Sequence, residues 1–182
     1  MSTFNVPTKE TVSPANQEIF DKLTKAIGKV PNLYATMAYS EHGLATYLGL
    51  SNAKTSFRGK EKEAINLIVS QVNECDYCLA AHTAIGKMNG LTDDQILKIR
   101  SGQAPFDAKI DALVKLAKDL TAKRGHAAPA LLDAFFAAGY TNESLVDLIN
   151  AIGDKTITNL LYAVTKVPID FPAAPALTPA NA

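Results

Sequence analysis

The stretch NECDYCLAAHT, Asn73 to Thr83, holds both cysteines of the chain, Cys75 and Cys78, together with His82. Cysteines at i and i+3 meet on one side of a helical turn, where they can close a small disulfide or share a metal ion. The helix before them ends near Asn73 and the next spans about Asp76–Met88, which puts the pair at a helix start. Free N–H groups and a partial positive charge there lower a thiol's pKa and favour the reactive thiolate. His82 follows Cys78 by one turn on the same face, within reach to take or give its proton. Glu63 lies about as far before the corner as His82 lies after it, so a helical hairpin brings the two to similar height. A carboxylate at that height orients the imidazole and stabilises its charged form. The result is a relay from Glu63 to His82 to Cys78, with Cys75 as the resolving thiol.

Two other readings compete. A structural zinc site wants four ligands, typically from two Cys/His pairs. Here Cys75, Cys78 and His82 have no second pair, His42 and His126 stand alone, and Glu63 would complete only a crowded mixed site. Free cysteines also serve as small buried hydrophobes. The charged flanks Glu74 and Asp76, the histidine and the helix start argue for chemistry instead. Glu63 by itself, in GKEKEA, reads equally well as a solvated first turn.

The elements that must position these groups are helical. Ile65, Ile68, Val69 and Val72 repeat at i, i+3, i+4, i+7, as do Leu145, Leu148, Ile149 and Ile152, then Ile157, Leu160, Leu161 and Val164. No run of strict alternation supports a strand. Punctuation gives seven or eight helices. The first covers about Pro14–Lys29 with Ser13 as N-cap, the second about Leu33–Leu48, and the third about Arg58–Asn73. Gly90 stops the cysteine helix and Thr92 caps the next. Further helices follow at about Phe106–Lys123, at ALLDAFFAAG, and from Glu143 to about Lys166, the last weakened by Gly153. Phe135 and Phe136 read as core or subunit interface; Tyr34 and His42 are candidates to line a pocket. Residues 1–13 form an N-terminal arm. The tail PIDFPAAPALTPANA (168–182) carries four prolines and reads as an extended arm, free or lying on a neighbouring subunit.

The bulk numbers exclude several classes. A chain of 182 residues with 47% hydrophobic residues supports one well-packed domain. Eighteen basic against eighteen acidic residues leave no surplus positive charge for nucleic acid. No stretch approaches the ~18 apolar residues of a membrane span. MSTFNVPTKE lacks a basic-then-apolar leader, so the expected compartment is the cytoplasm, where cysteines are thiols unless function oxidises them.

Glu63, Cys75, Cys78 and His82, with eleven, two and three residues between them, resemble the signature of the AhpD-like alkylhydroperoxidases within the carboxymuconolactone decarboxylase superfamily. RGKEKEAINLIVSQVNECDYCLAAHT (Arg58–Thr83) is similar to their peroxidase-related branch. So, more loosely, are KVPNLYATMAYSEHGLATYL (Lys29–Leu48) and ITNLLYAVTKVPIDFP (Ile157–Pro172). The resemblance implies an all-α, AhpD-like helical bundle in a single domain over 1–182, assembled as a homotrimer or homohexamer. It implies a thiol peroxidase acting on organic hydroperoxides, with neither cofactor nor metal. By the same resemblance Cys78 is the peroxidatic thiolate and Cys75 its disulfide partner. Cys75 exchanges with a dithiol reductant, in some members a lipoylated protein, while His82 and Glu63 relay protons. AhpD itself has a histidine just before the second cysteine; this chain has Tyr77, whose phenol can donate a hydrogen bond. The alternatives are a cofactor-free lactone decarboxylase, which does not need the cysteine pair, and a non-enzymatic redox-sensing or disulfide-exchange protein.

Overall fold

A computed structural model describes residues 4–178, and these form an all-helical single domain. Nine α-helices follow a 3-10 turn at Lys9–Thr11: α1 Pro14–Ile27, α2 Asn32–Met37, α3 Gly43–Ser51, α4 Gly59–Val72, α5 Asp76–Met88, α6 Asp93–Ser101, α7 Ala108–Ala122, α8 Pro129–Ala137 and α9 Asn142–Thr165. The caps are those the sequence announces. Ser13 and Thr92 accept hydrogen bonds from Asn16 and Gln95 backbone N–H groups. Gly28 and Gly102 close α1 and α6 in the left-handed conformation.

One expectation needs correction. The single helix over Leu33–Leu48 is two: Ala38–His42 breaks it, and the Ser40 hydroxyl accepts from Gly43 N–H where α3 restarts. A Cβ on Gly43 would meet the Ser40 Cβ at 2.9 Å, so the restart needs glycine. The last helix is continuous as expected, 24 residues that include Gly153.

α4 is the central helix, packed on α5, α6, α7 and α9. Its Ile65, Leu67, Ile68 and Val69 are fully buried with Ile96, Ile99, Leu113, Leu116, Phe135 and Leu148. Phe135 stacks on Tyr140 at 4.4 Å, which assigns it to the core. The third apolar repeat behaves differently. Ile157, Leu160 and Val164 point outward and are 45%, 61% and 72% exposed, whereas the polar residues Thr158, Asn159 and Lys155 on the opposite face of α9 are buried.

The proline-rich arm lies on its own chain. After Lys166 ends α9 in the left-handed conformation, Val167 is buried and residues 168–178 run across α2, α5 and α6 as a strap. Asn32 Nδ2 donates to Pro168 O, and Lys29 pairs with Asp170 at 3.0 Å and lies 4.0 Å above the Phe171 ring. Arg100 holds Gln71 Oε1 with one nitrogen and Pro175 O with another. Positions 179–182 of the arm and residues 1–3 of the N-terminal arm lie outside the described residues.

Tyr77 joins strap to helix. Its hydroxyl accepts from Leu33 N–H at 3.2 Å and donates to Asp170 Oδ1, and its ring packs against Tyr162 and Phe171. Tyr77→Phe removes the acceptor of Leu33 N–H and the donor to Asp170 Oδ1, while Lys29 and Asn32 still hold Asp170 Oδ2. We expect a loss of about 1–3 kcal/mol in urea unfolding. We also expect faster proteolysis at the strap than in α5; an unchanged midpoint and cleavage pattern would show that the strap does not depend on this hydroxyl.

Candidate active site

The cysteines sit on a corner shared by two helices. Asn73 is the C-cap of α4, Glu74 turns left-handed (φ 54°), and Cys75 N–H reaches back to Ser70 O while Glu74 N–H reaches Gln71 O. This is a Schellman closure with Cys75 as its last member. Cys75 is at once the N-cap of α5: its Sγ accepts from Cys78 N–H at 3.3 Å. Asn159 from α9 pins the corner, accepting from Asn73 Nδ2 at 2.9 Å and donating to Ser70 Oγ. Cys78 is therefore the third residue of the helix, and the two cysteines, with Cα atoms 5.3 Å apart, are joined in a disulfide.

Helix-start reasoning alone makes Cys75 the more exposed thiol. The structure buries both, at 1% and 3% exposure, and separates them by what they face. Cys75 packs among Leu33, Tyr162 and Val167. Cys78 lines a cavity of about 370 Å3 with His82, Tyr34, Tyr47, Lys155 and Thr158; Ile27, Leu33, Ile85 and Phe171 are among its apolar walls. His42 is exposed at the start of α3, away from this cavity.

α4 and α5 fold back antiparallel, and His82 Nδ1 meets Glu63 Oε2 at 2.8 Å, with side chains 12% and 7% exposed. Glu63 Oε1 accepts from Asn66 Nδ2 one turn on. The Glu63 carboxylate thus belongs to the site and not to a solvated turn. Burial pushes Glu63 up, but His82, Lys155 and the Asn66 hydrogen bond together bring it below the ordinary carboxyl range. His82 moves down: burial disfavours the imidazolium and the Lys155 charge adds to this, outweighing the pull of Glu63. Glu63 does favour the charged imidazole, as expected, but burial outweighs it; in the neutral form Nδ1 donates to Glu63 and the other nitrogen is a base.

Tyr77 carries no proton toward the cysteines, because its hydroxyl is committed to Leu33 and Asp170; burial and the Asp170 carboxylate both push its pKa up. Sequence reasoning missed Lys155, Tyr47 and Phe171. Lys155 sits in a helical run whose apolar repeat points elsewhere, so no local signal marks it as internal. Among the described residues no cluster of three or more His, Cys, Asp or Glu side chains is arranged to hold a metal ion.

Residues 40–119 match the carboxymuconolactone decarboxylase family, and that segment contains Glu63, Cys75, Cys78 and His82. No curated protein matches the chain in sequence. Solved structures share the fold. A peroxidase-related protein from Silicibacter sp. TM1040 is 22% identical with a TM-score of 0.78, over 91% of this chain and 90% of that one. A peroxidase-related protein from Ralstonia eutropha JMP134, described as an alkylhydroperoxidase AhpD core, is 17% identical with a TM-score of 0.82, over 92% and 91%. The debrominase Bmp8, in complex with 2,3,4-tribromopyrrole, is 18% identical with a TM-score of 0.77, over 93% of each chain. The chain is thus similar to the carboxymuconolactone decarboxylase family over residues 40–119 and shares its overall fold with AhpD-like, peroxidase-related structures.

The pKa directions fix the acid response. From the ordinary imidazole value of 6.5 down to the lower folded value of His82, the unfolded chain binds a proton that the folded chain refuses, so stability falls as pH drops through that window. Below the ordinary carboxyl value of 4.5, Glu63 adds a second loss. Urea midpoints measured from pH 8 to 4 should begin to fall below about 6.5, by the linkage of a lowered imidazole. His82→Asn should lack the upper part of the decline; parallel profiles for variant and wild type would contradict the assignment.

Proposed function

We propose that the chain is a thiol peroxidase reducing organic hydroperoxides at Cys78. The observation that carries this reading is that Cys78, and not Cys75, opens on the cavity beside His82, whose other nitrogen is tied to Glu63. His82 takes the Cys78 proton. The thiolate attacks one peroxide oxygen, the O–O bond breaks, and Cys78 becomes a sulfenic acid while the leaving alkoxide takes the proton back from His82. The Cys75 thiol then attacks the sulfenic sulfur, expelling water and forming the disulfide. An external dithiol, such as a lipoylated protein, supplies the two electrons that reopen it. A cytoplasmic setting suits such a cycle; among the described residues no helix is long and apolar enough to cross a membrane.

The same dithiol supplies the electrons that reductive removal of bromine from an aromatic ring needs, and Bmp8 shares this fold. The apolar walls of the cavity would accept such a ring, so bromopyrroles belong beside hydroperoxides in the first assay.

The test uses reduced protein and one equivalent of cumene hydroperoxide. Wild type should lose both thiols as the peroxide is consumed. Cys78→Ser should consume none, and Cys75→Ser should stop after a single turnover with a sulfenic acid that dimedone traps. If the thiols survive, the peroxidase reading fails; debromination without peroxide turnover would put the second reading first.

We also propose that the working form is a homo-oligomer. The outward face of α9, Val146, Ile149, Gly153, Ile157, Leu160 and Val164, is an exposed apolar stripe beside an open groove of about 790 Å3 lined by Phe4, Tyr39 and Met37. Exposed apolar patches of this kind mark interaction sites, and the repeat is the i, i+3/i+4 spacing of a helix seam. Light scattering should give a trimer or hexamer for wild type and a smaller species for Leu160→Glu; a wild-type monomer would sink the proposal.

A further inference from the structure

Neither sulfur of the disulfide is at the surface, so the dithiol that reopens it needs a way in. The two cysteines differ in what covers them. Cys75 packs with Leu33, Tyr162 and Val167 and takes no part in the cavity wall; Cys78 is part of that wall. Reaching Cys75 means displacing Val167, which is 1% exposed at the point where the strap leaves α9. Reaching Cys78 means only entering the cavity.

That cavity is deep and small. Of its lining residues Ala26, Ile27 and Met88 are exposed, and all three lie at the C-terminal ends of α1 and α5, which marks the mouth. Cys78 lies near the start of α5 and Met88 ends it, about 15 Å apart along the axis by the rise of an α-helix. Its volume of about 370 Å3 suits a small molecule and not a protein surface.

The leaving group agrees with this route. Attack on one sulfur of a disulfide expels the other as a thiolate, and exchange is faster when that thiolate is the more acidic one. Cys75 is the N-cap of α5, and its Sγ accepts from Cys78 N–H at 3.3 Å. A thiolate there meets free N–H groups and the positive end of the helix. Cys75 is thus placed to leave and Cys78 to be attacked.

We infer that the reductant enters the same cavity as the oxidant and attacks Cys78, not Cys75. The thiolate of a small or chain-borne dithiol bonds to Cys78 Sγ, the Cys75–Cys78 bond breaks, and Cys75 departs as a thiolate. The second thiol of the reductant then attacks its own sulfur in the mixed disulfide and expels Cys78. The dithiol ends as a cyclic disulfide, the protein gains two electrons, and the two dithiol protons end on Cys75 and Cys78. The sequence resemblance gives this exchange to Cys75; burial gives it to Cys78. Oxidant and reductant therefore exclude one another, and thiols fixed on a globular surface stop at the mouth. The inference rests on the proposed reading of the pair as a redox disulfide.

The test starts from protein oxidised with diamide, so it does not pass through hydroperoxide. Reduction by dithiothreitol is followed by alkylation and mass spectrometry for wild type and for Ile85→Trp, which narrows the cavity between its mouth and Cys78. The variant should be reduced more slowly by about tenfold, since access limits exchange. In denaturing urea the two should react alike. Ile27→Trp, at the exposed rim, takes its place should Ile85→Trp not fold. In a second arm the monothiol cysteamine replaces dithiothreitol, and the reaction is quenched in acid and mapped. Its adduct should sit on Cys78, with a free thiol at Cys75. An adduct on Cys75 overturns the inference, as does a native reduction rate that the tryptophan leaves unchanged; should the adduct close back before the quench, the rate decides. A wild type that ignores hydroperoxide but is reduced through Cys78 would sink the peroxidase reading and leave this inference standing. Hydroperoxide consumed while the adduct maps to Cys75 would sink this inference alone.

Discussion

The corner between α4 and α5 is the constraint on which the site depends. Cys75 closes one helix and caps the next, so no free torsion separates the last turn of α4 from the first turn of α5. That economy fixes three things together. It places Cys78 one turn into a helix N-terminus, where backbone N–H groups favour a thiolate. It holds the two Cα atoms at 5.3 Å, within the range a disulfide needs. It also sends α5 back along α4, so that Glu63 and His82 meet at 2.8 Å. The left-handed Glu74 is the local cost of so short a turn, because a non-glycine residue there is disfavoured by roughly 1–2 kcal/mol. Asn159 reaches from α9 to both sides of the corner and offsets part of that cost with hydrogen bonds.

Around this corner the protein keeps charge where apolar packing would be cheaper. Glu63, Asp154 and Lys155 are all under 10% exposed, and each would be unfavourable alone. They are tolerable because they lie together. The Glu63 carboxylate raises the pKa of the imidazole beside it, but burial, with the Lys155 charge added, brings it down. In the proposed reaction the neutral ring is the form that takes a proton from the thiol.

The strap gives the cavity its outer wall. Phe171 lines it, and Asp170, held by Lys29, Asn32 and Tyr77, keeps Phe171 in place. Tyr77 therefore stands between the two cysteines in sequence but serves the strap in space. The arm is extended because proline forbids a helix over its length, and it is ordered because its carbonyls find donors on Asn32 and Arg100.

Much of the fold was legible in the sequence because helices are written locally. The i, i+3, i+4 repeats, Ser13, Thr92 and Gly90 marked the helix limits to within a few residues, and the spacing from Glu63 to His82 about a two-residue corner was enough to anticipate their meeting. The break at Ala38–His42 was missed because the apolar pattern carries on across it, while the close approach of Gly43 to Ser40 at the restart is a contact and not a pattern. The thiol pair and its histidine were likewise determined by the sequence, since a helix sets their relative positions without help from the rest of the chain. Only the tertiary structure decided which cysteine faces the cavity, that the apolar repeat of Ile157, Leu160 and Val164 turns outward, and that Lys155 turns inward to the cavity. Those outcomes depend on which face of α9 meets α4, and a helix of mixed character can pack on either face until its neighbours' buried charges select one.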